Sequence, residues 1–229
     1  MRLIKYVFIS LSLLFIFTLK SIADNFAICL DGKDNNIRTG IGIISPPWSL
    51  EVWIKGDEDR WRNNEVIIGG GEYSNINWVD NKPLMLCNGK VHSSGADLWS
   101  DYILDKEWHH LAVTCNGHST QMFIDGELSC SKDTAVSIIP GAIGVEEVEP
   151  CFGGLIDEVR IWKECIASEI VAEWMRCPLS INHPNIKDLY AYYPLDDFDG
   201  EVSINWVGKG HQAFHIRNGR SDYYEGVSK

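Results

Sequence analysis

The sequence predicts an all-β fold, an antiparallel two-sheet jelly-roll β-sandwich with one short helix near residues 166–176. Three observations carry that expectation. Runs of about five residues alternate apolar and polar, as half-buried strands do. Turn signals such as Asn-Gly and Asp-Gly separate them at intervals of roughly eight to twelve residues, the rhythm of sandwiches and jelly rolls. No long helical periodicity occurs before residue 163.

The chain begins with an address. Arg2 and Lys5 give a positive start, Tyr6 to Leu19 is mostly apolar, and Ser21-Ile22-Ala23 has the small-x-small pattern of a cleavage site. The apolar run of about fourteen residues is short for a bilayer span, which needs about twenty. Residues 1–23 are therefore expected to be a signal peptide, with an uncleaved anchor as the alternative and Lys20 its untypical feature. The implied location is secreted, periplasmic or cell-surface, with no membrane insertion after cleavage. Cys29 lies too far past the cut to carry a lipid.

Of the 20 basic residues, Arg2, Lys5 and Lys20 leave with that segment, so 17 face 32 acidic ones and the net charge moves from −12 to near −15. Such a surface repels phosphate backbones and anionic lipid heads, which argues against nucleic-acid and membrane-surface partners. About 206 residues remain, enough for one large sandwich. All seven cysteines (29, 87, 115, 130, 151, 165 and 177) lie in this part. In a secreted chain some disulfides are expected, the odd count leaves one thiol over, and spacing leaves the pairing open. No Cys-x-x-Cys occurs, so a zinc or thioredoxin-type site has no support.

Phe26 to Gly32 reads as a first strand entering a turn. In Ser49-Leu-Glu-Val-Trp-Ile-Lys55, Leu50, Val52 and Ile54 share one face and Glu51, Trp53 and Lys55 the other. Val66 to Ile68 is a short buried-type strand ending in three glycines, suited to a bend or bulge. Pro83 to Cys87, Asn88-Gly89 and Lys90 to His92 make a hairpin. From Trp108 to Leu128 two runs flank Asn116-Gly117 and a second turn, Asp125-Gly126, comes directly after, giving a three-stranded meander. Leu111, Val113 and Cys115 point one way, His110, Ala112 and Thr114 the other, and Met122 and Ile124 continue the pattern. In Phe152 to Trp162, alternation puts Val159 and Ile161 together and Ile156 and Trp162 opposite. Ile166, Ile170 and Trp174 then recur at helical spacing, with Ser168 as N-cap and Cys177-Pro178 as the stop. That stripe is expected across an end of the sandwich. Leu189 to Leu195 returns to strand pattern, and Ala213 to Arg217 is a candidate closing strand.

Leu30-Asp-Gly, Ser49-Leu-Glu-Val-Trp-Ile, Trp108-His-His-Leu-Ala-Val-Thr, Phe123-Ile-Asp-Gly and Gly154-Leu-Ile-Asp-Glu-Val-Arg-Ile-Trp occur in that order. Together with Ala191-Tyr-Tyr-Pro-Leu-Asp they resemble the laminin-G-like (pentraxin-like) jellyroll family of the concanavalin A-like lectin/glucanase superfamily. The resemblance spans roughly residues 26 to 200, so 24–200 is read as the jellyroll domain. Residues 201–229 are read as a C-terminal extension, either a closing strand or the start of a further domain. The resemblance implies two curved sheets whose concave face or loop rim meets ligands. Members recognise glycans, glycoproteins or other surfaces, many beside catalytic domains, and some bind calcium.

A glycosidase needs two carboxylates facing one sugar. The family's Glu-x-Asp-x-Glu pattern is absent, and the adjacent Asp157 and Glu158 are expected on opposite faces of a strand. No enzyme is expected. Calcium wants six to eight oxygens. Asp31, Asp157 and Asp196 are its candidate ligands here, with Asp34, Asp197 and Asp199 nearby, and a purely structural role for Asp157 is the competing reading. Sugar recognition uses aromatic faces with polar partners. Trp61, Tyr73, Trp78, Asp80 and Trp99 lie in polar, loop-like contexts and are the candidate ligand-binding residues. Core capping from a loop is the competing reading for each tryptophan. Trp53, Trp108 and Trp162 are read as sheet-packing residues, and His109-His110 as strand neighbours that point apart. The expectation is a secreted, non-catalytic module for carbohydrate or glycoprotein. The alternatives are a recognition domain of a larger secreted hydrolase and a protein-contact adhesion domain.

Overall fold

The runs that alternate in the sequence pair with one another in space. The computed structural model describes residues 26–33, 35–56, 64–70, 82–144, 151–196, 202–207, 213–216 and 223–225. Among them are β1 (Phe26–Asp31), β2 (Asn36–Arg38), β3 (Trp48–Gly56), β4 (Glu65–Gly69), β5 (Leu84–Cys87), β6 (Lys90–Ser93), β7 (Leu98–Trp99) and β8 (Trp108–Cys115). Then come β9 (Thr120–Ile124), β10 (Glu127–Lys132), β11 (Ala142–Ile143), β12 (Gly153–Trp162), helix α1 (Ser168–Trp174), β13 (Leu189–Tyr193), β14 (Val202–Ser203), β15 (Ala213–Ile216) and β16 (Tyr223–Glu225).

They form two antiparallel sheets. The first runs β10-β9-β8-β3-β12-β1-β16, and β13 joins β12 beside β1. The second runs β14-β15-β2-β11-β4-β5-β6-β7. The meander expected from Trp108 to Leu128 is β8, β9 and β10. Asp125 (φ 52°) and Gly126 (φ 81°) both take the positive φ of a primed hairpin turn. Asn88 (φ 52°) and Gly89 (φ 78°) do the same between β5 and β6. A side chain at Gly126 would also be crowded by the helix, since a Cβ there would lie 3.0 Å from Ala172 Cα.

One large core fills the space between the sheets. Leu50, Val52, Ile54, Leu111, Val113, Cys115, Met122 and Ile124 enter it together, on the face their alternation assigned. Ile37, Ile68, Leu84, Leu86, Val91 and Leu98 meet them from the second sheet. Each fully buried aliphatic side chain contributes about 1.5–3 kcal/mol over its exposed state.

β12 departs from simple alternation. Its register against β3 shifts between Asp157, opposite Trp53, and Arg160, opposite Glu51. Glu158 sits in the bulge with φ 55°. One extra residue reverses the parity of the remainder of the strand. Ile156 therefore joins Val159 and Ile161 in the core rather than opposing them. Asp157 shares the outer face of Trp53. Glu158, which bonds Arg160 and Tyr192 there, does not take the opposite face that adjacency alone assigns.

That outer face is covered by α1 and the segment after it. Ala112, Phe123 and Trp162 of the sheet pack with Ile166 and Val171 in a second cluster. The helix thus lies on the face of the first sheet, not across an end of the sandwich. Its N-cap is Ala167, without a side-chain bond, and Ser168 is already helical. Val171 is its buried residue, while Ile170 is only partly buried.

Residues beyond 200 extend the sheets. β16 pairs with β1, β15 with β2, and β14 with β15. The seven cysteines all carry free thiols, so the expected disulfides are not present in this structure. Strand placement gives the reason for two of them: Cys115 points into the core from β8, whereas Cys87 packs with Val66 and Met85 in a separate cluster.

Candidate functional site

β10 ends the first sheet and β7 ends the second, and these two edge strands lie against each other along one side of the sandwich. On β6 and β7, Val91 and Leu98 enter the core, which turns their neighbours His92 and Trp99 outward. These two residues are directly opposed in the strand pair. Their rings stack at 3.9 Å between centroids and 16° between planes. His92 thereby supports one ring face of Trp99, and the indole remains 44% exposed.

Asp97, in the turn that joins β6 to β7, takes a left-handed φ of 50° and turns its carboxylate back toward the stack. The Trp99 indole N–H donates to Asp97 Oδ1 at 3.1 Å, and Lys132 Nζ of β10 lies 3.2 Å from Oδ2. The ammonium of Lys132, followed by the indole N–H, holds the Asp97 carboxyl below the usual carboxylate range. The half-buried Cys130 thiol of β10 lies near the backbone of Trp99, and burial and the Asp101 charge push it up to about 11. The result is a fixed aromatic plate flanked by an ionised acceptor and an ammonium donor. A sugar ring needs that combination, since it presents C–H bonds on its face and hydroxyls at its rim.

Of the predicted ligand-binding residues, Trp99 lies in this arrangement. Trp61, Tyr73, Trp78 and Asp80 lie outside the described residues. His92, Asp97 and Lys132 were not singled out by the sequence. Asp97 was legible in principle, being a turn residue two positions from Trp99, whereas Lys132 comes from another sheet and left no local signal.

The structure does not bring the proposed metal ligands together. Asp31 ends β1 and accepts the backbone N–H groups of Lys33 (3.0 Å) and Asn35 (3.3 Å) through Oδ1. Asp196 Oδ1 accepts the N–H of Phe26 at the other end of β1 (2.8 Å), about 16 Å away at the rise of a strand. Asp157 is buried on the outer face of the first sheet. These three carboxylates do not fit one calcium ion. Among the described residues no group of three His, Cys, Asp or Glu side chains could hold a metal.

A second polar cluster lies under α1. Glu51 accepts the indole N–H of Trp162 at 2.6 Å and lies 3.3 Å from His110 Nε2. Burial works against the Glu51 charge, but the His110 bond and the Arg160 charge prevail and hold its carboxyl low. Arg160 pairs with Glu158 at 2.8 Å and donates to the carbonyls of Trp174 and Cys177 (both 3.1 Å). Tyr192 Oη donates to the other oxygen of Glu158 at 2.6 Å. Trp53 Nε1 reaches the Met175 carbonyl at 3.0 Å, and His183 stacks on Trp162. All the charges here are buried, and they fasten the end of the helix to the sheet. Trp53 and Trp162 are sheet-packing residues, as their motif positions implied. His109 and His110 point apart, His109 bonding Asp125 (2.8 Å) and Asp105 (3.0 Å).

Among known proteins, no curated sequence matches the chain. In fold it is similar to a Bacteroides ovatus protein with a provisional assignment to carbohydrate binding (TM-score 0.66, 18% identity), covering 89% of this chain. The chain spans 60% of the length of that protein. It is also similar to the heptameric SAP-like pentraxin of Limulus polyphemus, with a TM-score of 0.52 and 12% identity over 75% of this chain and 93% of the pentraxin. At these identities the likenesses speak for the fold. A laminin-G family model, described as the concanavalin A-like lectin/glucanases superfamily, matches residues 31–172, more than half of the sequence, and the chain belongs to that family.

Proposed function

We propose that this chain is a secreted, non-catalytic binding module that recognises carbohydrate or glycosylated surfaces through the site centred on Trp99. The observation that carries this reading is the exposed indole braced from behind by His92 and pinned at its N–H by Asp97. A plate already locked in place loses little side-chain entropy when a ligand lands on it, so more of the contact energy appears as affinity. Asp97 and Lys132 supply the acceptor and donor for ring hydroxyls. Asp97 is kept ionised by Lys132, which suits it to accept hydroxyl hydrogen bonds and not to serve as a general acid at neutral pH.

Secretion rests on residues 1–23, whose basic start, short apolar run and Ser21-Ile22-Ala23 fit an exported leader. Among the described residues no helix is long and apolar enough to cross a membrane. N-terminal sequencing of the exported protein tests the cut after Ala23.

A glycan-array screen tests the binding reading. Hits that vanish in Trp99→Ala, while the variant keeps the parent melting temperature, are the expected result. A folded parent that binds no glycan would move the reading to protein contact. That alternative has a specific observation in its favour: Ile204, Trp206 and Val207 are exposed together on the segment beside β13, with Trp206 at 69%.

A further inference from the structure

The Trp99 plate is one end of a longer strip. From Asp97 to Tyr102 the chain runs antiparallel to β10 across the gap between the two sheets. Lys132 meets Asp97, Cys130 meets the backbone of Trp99, and Ser129 Oγ accepts the Asp101 N–H at 3.2 Å. At the far end the Tyr102 phenol is raised by partial burial and by the nearby carboxylates of Asp125 and Glu127. The strip therefore has the length of β10, about 16 Å at the rise of a strand, which exceeds a single sugar ring. Two aromatic side chains stand along it, Trp99 at 44% exposure and Tyr102 at 45%.

Its charges are unbalanced. Asp97, Asp101, Asp125 and Glu127 line the strip. Lys132 is already paired with Asp97, and His109 with Asp125 and Asp105. The chain as a whole carries a formal charge of −12. An anionic ligand would be repelled along the whole length, whereas an uncharged hydroxylated one meets a row of acceptors.

We infer that this seam grips the interior of an uncharged, linear glycan chain, with one sugar ring over Trp99 and a later one over Tyr102. The inference rests on the carbohydrate reading of Trp99 and adds to it the length and charge of the ligand. It makes Tyr102 a second platform, which matters only when the glycan is long enough to reach it.

The test titrates the whole protein with neutral linear oligosaccharides of the gluco, manno, xylo and galacto series. Each series runs from mono- to hexasaccharide, and uronic-acid and sulfated oligosaccharides run in parallel. Affinity is expected to rise by about tenfold as the chain grows long enough to cover a second aromatic platform, then to level off. Tyr102→Ala should remove that gain and leave the shortest binding probe unaffected, with the variant still folded by a cooperative melt. Trp99→Ala should weaken every length. Affinity that does not depend on length, or a Tyr102→Ala variant that binds every length like the parent, overturns the extended seam while leaving Trp99 recognition intact. Tighter binding of sulfated or uronic-acid chains, falling with added salt, overturns the uncharged class. No binding to any probe overturns both this inference and the reading beneath it.

Discussion

Two regions of this protein are assembled from nearly the same parts. At the seam, Trp99 donates to Asp97, His92 stacks on the indole, and Lys132 is the cation. Under the helix, Trp162 donates to Glu51, His183 stacks on the indole, His110 lies against the carboxylate, and Arg160 is the cation. The difference is water. Trp99 is 44% exposed, whereas Trp162 is sealed beneath α1. Buried charge must be matched within the protein, since solvent cannot do it, so that set is committed to fastening structure. In the exposed set water satisfies the polar atoms that the protein leaves over, so the open face of the indole stays available to a ligand. The same chemistry is a bolt in one place and a candidate grip in the other.

The comparison can be broken most forcefully at the two cations. Arg160→Met should cost about 3–5 kcal/mol, because it leaves Glu158 and Glu51 charged in a dry layer and takes one donor from each of two carbonyls near the end of the helix. Denaturant and thermal melts read that loss. Lys132→Met should leave the melt unchanged and weaken glycan affinity, which an equal fall in stability would contradict. Next come the tryptophans. Trp162→Phe removes a donor from buried Glu51 and should cost about 1–3 kcal/mol. Trp99→Ala should cost binding alone.

A smaller effect is expected from pH. The bond that His109 donates to Asp125, working against partial burial and helped by Asp105, raises the His109 pKa above its ordinary value. Its contribution is full below about 6.5 and fades as pH climbs through the raised value. Asp125 is held low despite partial burial, chiefly by the His109 bond, so its contribution is present above about 3.9 and fades as pH falls through the lowered value. Stability from this cluster should therefore peak in mildly acidic solution. A pH series of melts on parent and His109→Gln checks it, and identical profiles would remove the cluster from the account. The smallest effect is metal removal. A chelator should leave both the melt and the Trp99-dependent binding unchanged, since Asp31, Asp157 and Asp196 do not converge. A drop in melting temperature on chelation would point to a cation site beyond the described residues.

How much was legible depends on the range of the forces involved. Strand identity was readable because Leu50, Val52 and Ile54 carry the period of a half-buried strand, and Asp125-Gly126 carries the backbone freedom of its turn. The bulge at Glu158 was not, since an extra residue leaves the apolar content of β12 almost unchanged while reversing which side chains share a face. The helix was readable, but its seat was not. Ile170 and Trp174 mark a stripe without saying which sheet face lacks a cover.

By itself the sequence determined the class of fold, the run of strands and hairpins and the family, and it singled out Trp99, which the structure leaves exposed. All of these depend on neighbours a few positions away. Only the tertiary structure decided that His92, Asp97 and Lys132 gather around that indole, and that a near copy of the same set lies sealed around Trp162. Burial and the meeting of two sheet edges belong to contacts distant along the chain, which local pattern does not encode.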